Sequence, residues 1–137
     1  MTQTHLPPNW RPRVLAIVNG HGWLQGTFYP EGMRLLYCWA LAEGGTARWN
    51  PLNTTLKLYL STPYNSAGVQ DYVRPTEGVC ATGLTLVNGY YNGILGDLQN
   101  GTKTAEQIVN DQAAQFDTWG TGATLLLRVL SENPPAA

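Results

Sequence analysis

Charge is the first thing this sequence is short of. Asp, Glu, Lys and Arg make up 12 % of its 137 residues, about half the roughly 25 % of an average soluble chain. The eight basic and nine acidic residues leave a formal net charge of −1 and form no basic cluster. The electrostatic footprint that nucleic-acid binding requires is therefore missing. No apolar run approaches the ~20 residues of a membrane-spanning helix. The N-terminus has no charged region followed by an apolar one, so neither a membrane anchor nor a signal peptide is expected. Cysteine is scarce too. Cys38 and Cys80 lie far apart, with no CxxC and no neighbouring His, which argues against zinc; no metal or cofactor is expected. The two read as buried thiols that pair only if their segments touch, and nothing marks a Cys38/His21 nucleophilic pair as activated.

What the chain has in plenty is glycine (15) and aromatic rings (five Trp, seven Tyr, two Phe). A neutral surface rich in Tyr, Trp, Asn and Thr suits uncharged polar partners such as sugars, or a crowded assembly. The length is that of one domain. Residues 1–12, with three prolines, read as an arm, residues 13–133 as a single domain and residues 134–137 as a tail. "RVLAIVNG" predicts a short helix stopping at Asn19-Gly20. "YPEGMRLLYCWALAEGG" places Met33, Leu36, Tyr37, Ala40 and Leu41 at helical spacing and ends on Gly44-Gly45, a left-handed stop. From 50 to 74 the composition shifts to Asn, Thr, Ser, Pro and Tyr, with "LKLYL" and "VQDYV" as candidate strands. Helical patterns return after Pro75. One has Thr76 as N-cap, one ends at Asn100-Gly101, one runs through "TAEQIVNDQAAQF" with Thr104 and Gln107 as a capping box, and a last covers "TGATLLLRVLSEN". The expected core is Leu35, Leu36, Trp39, Ala40, Val79, Leu84, Leu86, Ile94, Leu95, Leu98, Ile108, Val109 and Leu126.

One residue breaks the pattern of its own helix. Glu43 follows Trp39 by four positions and Leu36 by seven, so its carboxylate continues the apolar stripe. Burial there, together with the negative end of the helix dipole, disfavours the ionised form. A carboxyl kept protonated near neutral pH is what a general acid for glycosidic cleavage needs. The solvated end of an ordinary helix is the alternative for a glutamate before Gly-Gly.

Together "AEGG", "WNPLNTT" and "YNSAGVQDY" resemble the lysozyme-like modules of phage-encoded cell-wall hydrolases, distantly similar to goose-type lysozymes and lytic transglycosylases. The likeness runs over roughly residues 33 to 100. It implies an α+β lysozyme-like fold, mainly helical with a small irregular β region, and cleavage of peptidoglycan glycan strands between N-acetylmuramic acid and N-acetylglucosamine. By motif, Glu43 stands at the catalytic position, Asn50-Pro51 at the segment after it, and Ser66-Ala67-Gly68 at the loop lining the sugar groove. Asp71 is the candidate second carboxylate, with a strand-end residue as the equal alternative. The carboxyl separation, about 5 Å or about 6.5 to 9.5 Å, would decide retention or inversion. Asn50, Asn53, Thr54, Tyr64, Asn65, Ser66 and Tyr72 are candidates for holding hydroxyl and acetamido groups, although Asn50 and Asn65 also fit ordinary turn chemistry. Trp49 and Trp119 suit packing better than ligand stacking. The protein would be made in a host cytoplasm and act at the bacterial wall or travel in a virion.

Two other readings compete. A virion component with this fold and no activity would interact with other virion proteins; the apolar "LKLYLSTP", where such modules usually carry a glycine-rich polar connection, and the lack of a recognisable wall-binding domain favour it. A noncatalytic sugar-binding module would keep the groove and tolerate loss of Glu43.

Overall fold

A computed structural model describes residues 6–20 and 29–135. His21, the first five residues of the expected arm and the last two of the tail lie outside the described residues. The element order is α1 (Trp10–Asn19), α2 (Pro30–Glu43), β1 (Thr62–Pro63), β2 (Gln70–Asp71), α3 (Pro75–Leu86), α4 (Asn92–Asn100), α5 (Ala105–Asp111), α6 (Ala113–Trp119) and α7 (Ala123–Glu132). The fold is mainly helical with one small antiparallel sheet, in which Thr62 faces Asp71 and Pro63 faces Gln70. Among the described residues no helix is long and apolar enough to cross a membrane.

Helix α2 is the axis of the core. Proline sits in its first turn, where no amide is needed, and it stops at Gly44, whose φ of 57° returns an amide to the Ala40 carbonyl. Its buried face is Gly32, Leu35, Leu36, Cys38, Trp39 and Ala40. The stripe expected from the sequence is therefore rotated: Tyr37 is exposed, and Met33 and Leu41 are half-buried. Helix α7 packs against α2, and α1 against α3. Two glycines of α3 permit its close contacts. A Cβ on Gly83 would stand 2.7 Å from Ile17 of α1, and one on Gly78 would stand 1.6 Å from the Trp49 carbonyl oxygen.

The N-terminal half of α2 is tied to its neighbours by one arginine. Arg34 donates to both oxygens of Glu106 (2.9 and 2.6 Å), to Glu31 Oε1 (3.1 Å) and to the carbonyls of Leu130 and Asn133 (3.0 and 2.9 Å). Glu31 Oε1 also accepts the Ala105 amide at the start of α5. A paired guanidinium with every direction occupied can be buried, and it fastens α2, α5 and the end of α7 together.

Several expectations are corrected. Helix α1 starts at Trp10, three residues inside the expected arm, because Trp10 is itself a core residue. "LKLYL" forms no strand; Leu56, Tyr59 and Leu60 are exposed, and the strands lie at Thr62–Pro63 and inside "VQDYV". Helix α3 begins at Pro75, so Thr76 lies within its first turn and Arg74 is the cap. Leu84 points to solvent, opposite the face made by Val79, Thr82, Gly83 and Leu86. Leu95 is only half-buried against the core. The long helix after Thr104 is broken at Gln112, whose side chain turns to donate to Asp97 on α4. The Thr104–Gln107 capping box is present with both hydrogen bonds. Cys38 and Cys80 are unpaired.

Candidate active site

The left-handed turn at Gly44 ends α2 with the Glu43 side chain still on its inward face, half-buried. Two neutral groups reach it. Thr121 Oγ1 donates to Glu43 Oε2 at 2.9 Å. Asn53 approaches from the following loop, its Nδ2 donating to the Glu43 carbonyl oxygen at 3.4 Å. Asn53 can come this close because residue 45 is glycine: a Cβ there would lie 2.1 Å from Asn53 Oδ1. Asn53 itself adopts a left-handed φ of 56°, a conformation Asn tolerates better than most residues.

Burial pushes the Glu43 carboxyl above its ordinary value of 4.5; the hydrogen bonds from Thr121 and Asn53 pull it back only in part. Among the described residues no charged side chain contributes to the shift. Desolvation thus favours the neutral form of this acid, and the Thr121 hydroxyl stands as a donor to its Oε2.

Thr121 is fixed in turn by the core. Trp39 Nε1 donates to Thr121 Oγ1 at 2.7 Å, and the Trp39 ring is fully buried, edge-on to Phe116 and to Trp119 at centroid distances of 4.8 Å. Gly120 (φ 108°) and Gly122 (φ 85°) flank Thr121, and this doubly left-handed turn brings it from the end of α6 to the start of α7. Sequence reading missed Thr121; the Gly-Thr-Gly triplet after Trp119 was the available signal. Trp119 packs, as expected, on Trp39 and Tyr91, and its Nε1 donates to the Leu52 carbonyl.

Three residues assigned to substrate have another occupation. Asn50 is buried and saturated: Nδ2 donates to the carbonyls of Thr54 (2.9 Å) and Gln70 (2.8 Å), and Oδ1 accepts from the Thr54 amide and hydroxyl. The Thr54 hydroxyl, also buried, lies 2.9 Å from the Tyr72 hydroxyl, which donates to the Leu56 carbonyl at 2.7 Å. Burial raises the Tyr72 phenol. These three form the inner frame of the lobe after α2, where polar groups are affordable because each finds a partner. Asn50, Thr54 and Tyr72 therefore do not face a ligand.

Asp71 lies in β2 and its Oδ1 accepts the Arg48 amide at 2.6 Å, pinning the stretch that follows Glu43. Asn65 closes its own turn, Oδ1 accepting the Ala67 and Val69 amides at 3.1 Å. Ser66 is exposed on that turn. Tyr64 is exposed, and its hydroxyl is hydrogen-bonded to Thr46 Oγ1, three residues beyond Glu43. Of the sequence-derived set, Asn53 is bonded to the Glu43 carbonyl and Tyr64 to Thr46, so both are tied to the turn that ends α2. Trp49 turns back in a left-handed conformation (φ 56°) with its carbonyl against Gly78, a structural position.

Two surface cavities lie elsewhere. One, of 630 Å³, sits between α1 and α3, lined by Asn9, Pro12, Arg13, Ile17, Thr76, Val79 and Cys80. The other, of 690 Å³, lies beside the N-terminal half of α2 and the end of α7, and includes Arg11, Arg34, Tyr37 and Pro134. In the second, Glu31 and Arg34 belong to the clamp, and Arg11 donates to the Met33 carbonyl and lies over the Tyr37 ring. Chemistry points to Glu43 instead. Among the described residues no three His, Cys, Asp or Glu side chains converge as a metal site. No protein-family model, curated protein or solved structure matches the chain.

Proposed function

We propose that the protein is a peptidoglycan-cleaving glycosidase of the lysozyme-like kind, phage-encoded, with Glu43 as general acid. The observation that carries this reading is the Glu43 carboxyl itself: at the end of a core helix, half-buried, raised by desolvation, with Oε2 accepting from the Thr121 hydroxyl and, among the described residues, no cation beside it. In the step it would perform, the Glu43 proton passes to the glycosidic oxygen as the bond to C1 breaks, the electron pair staying with that oxygen. C1 is then captured by water, whose proton returns to Glu43, or by a hydroxyl of the same sugar in an intramolecular transfer. Asp71, engaged with the Arg48 amide, supports a single-carboxylate route. Tyr64 and Asn53, both tied to the turn that ends α2, are assigned in this reading to the sugar ring and its acetamido substituent.

The reading is tested by the fall in turbidity of purified peptidoglycan from several bacteria, with wild type beside Glu43→Gln. Clearing by the wild type and a loss of about 10²-fold or more in the folded variant is expected. A folded variant that clears as well as wild type would reject Glu43 as the acid.

A second reading has its own observation. Tyr59 and Leu60 are 81 % and 63 % exposed on a turn braced from within, the Ser61 amide donating to the Leu58 carbonyl and the Leu58 amide to Ser61 Oγ, both at 2.9 Å. Such a rigid apolar display suits a contact with other virion proteins. Absence of clearing on every wall would shift the assignment to that noncatalytic role.

A further inference from the structure

We infer that Thr121 is the positioning residue of this site: its hydroxyl, oriented by Trp39, commits Glu43 Oε2 to accepting, so that Oε1 is the oxygen that carries and delivers the proton. The inference rests on the general-acid reading of Glu43 but is argued from a separate chain of hydrogen bonds.

An indole N–H can only donate. Trp39 Nε1 lies 2.7 Å from Thr121 Oγ1, so the threonine oxygen accepts there and its single hydrogen is left to point along its other contact, 2.9 Å to Glu43 Oε2. The hydroxyl rotor, free in most threonines, thereby has one setting. An oxygen that accepts a fixed donor is the carbonyl-like oxygen of a neutral carboxyl group, which leaves the acid proton on its partner, Oε1. When that proton leaves, the donor on Oε2 already faces the new charge and nothing has to rearrange.

The relay is stiff as well as directional. Trp39 is fully buried between Phe116 and Trp119, Thr121 is 8 % exposed, and glycines on both sides hold its backbone turn. The groups that face Glu43 are Thr121, ahead of α7, and Asn53, on the loop after α2. Both are neutral, and among the described residues no charged group from any packed element bears on it.

The test is the carbon-detected NMR titration of the Glu43 carboxyl in wild type, Thr121→Val and Thr121→Ser, run beside the pH profile of wall cleavage. Loss of the hydroxyl moves the Glu43 midpoint upward and serine restores it. The alkaline limb of the rate profile moves up with it, and kcat falls about tenfold with KM unchanged. In the wild type the Trp39 indole N–H resonance follows the same midpoint, because it reports the ionisation through the shared hydroxyl; this needs no variant, and Thr121→Ala serves if the valine protein does not fold. A folded hydroxyl-free variant with an unmoved midpoint, or an indole resonance that ignores the Glu43 titration, overturns the proposal. A shifted, serine-restored midpoint in a protein that clears no wall upholds the hold of Thr121 on Glu43 and instead overturns the general-acid reading.

Discussion

Helix α2 has two ends with opposite electrostatics. Near its start Arg34 meets two glutamates and two carbonyls, so that Glu106 is held below its ordinary range, first by the hydrogen bond from Arg34, and Arg34 is raised, first by its bond to Glu106. At its finish no charged group among the described residues bears on Glu43, and burial drives it the other way. Two glutamates beside the two ends of α2, Glu106 of α5 next to its start and Glu43 at its finish, are thus shifted in opposite directions. What separates them is the partner, guanidinium or hydroxyl, rather than depth alone. An ion pair with its charges compensated serves stability, whereas a carboxyl whose charge is left uncompensated is costly in its ionised form.

The largest effect expected from breaking this contrast is Arg34→Ala. It leaves Glu31 and Glu106 unpaired and frees two carbonyls at the end of α7, so a loss of about 2–4 kcal/mol in urea unfolding is expected. Wall cleavage per folded molecule should stay at the wild-type level, because the clamp is not part of the Glu43 turn.

A smaller effect is sharper in sign. The folded carboxyl of Glu43 binds its proton more tightly than the unfolded one, so its contribution is present below the unfolded value of about 4.5 and is lost as pH rises through the folded pKa. Glu106 is lowered on folding, so its contribution is present above about 4.5 and is lost as pH falls through the folded pKa. Thermal melts between about pH 3 and about pH 8 should therefore find Glu43→Gln more stable than wild type at neutral pH and Glu106→Gln less stable. The Glu43 difference should vanish as pH falls to about 4.5, and the Glu106 difference should shrink below about 4.5. Solvent screens Glu106, whose side chain is 41 % exposed, so its difference is modest. Differences of the same sign would show that the two ends are not electrostatically distinct.

The smallest expected effect is Gly45→Ala. The added methyl meets the end of the Asn53 side chain, which can swing away, so stability should change by less than about 1 kcal/mol. Displacing Asn53 removes one of the two donors that lower Glu43. An upward move in the Glu43 midpoint, with cleavage reduced about two- to fivefold, is the expected reading.

Much of the helical frame was legible because its signals are local. Gly44 and Gly101 end helices where they stand next to periodic runs, and Thr104 with Gln107 forms its box within three residues. Glu43 was legible for the same reason, since its place on the apolar stripe depends only on helical spacing. The lobe from 50 to 72 was read less well. Asn50, Thr54 and Tyr72 look like ligand-binding residues in sequence because they are polar and aromatic in a loop; only the folded chain brings the Gln70 carbonyl to Asn50 and the Leu56 carbonyl to Tyr72 and turns all three inward. "LKLYL" alternates like a strand, but its expected partner segment is paired with Thr62–Pro63 instead.

The sequence by itself determined that α2 exists, that it stops at Gly44, and that a carboxyl sits on its inward face, since backbone geometry and side-chain periodicity are properties of neighbouring residues. The tertiary structure alone decided what that carboxyl meets. Thr121 lies far along the chain from Glu43 and becomes its partner only when α7 packs against α2. Desolvation and hydrogen bonding depend on which surfaces close over a group, and those are fixed by packing between distant segments rather than by the order of adjacent residues.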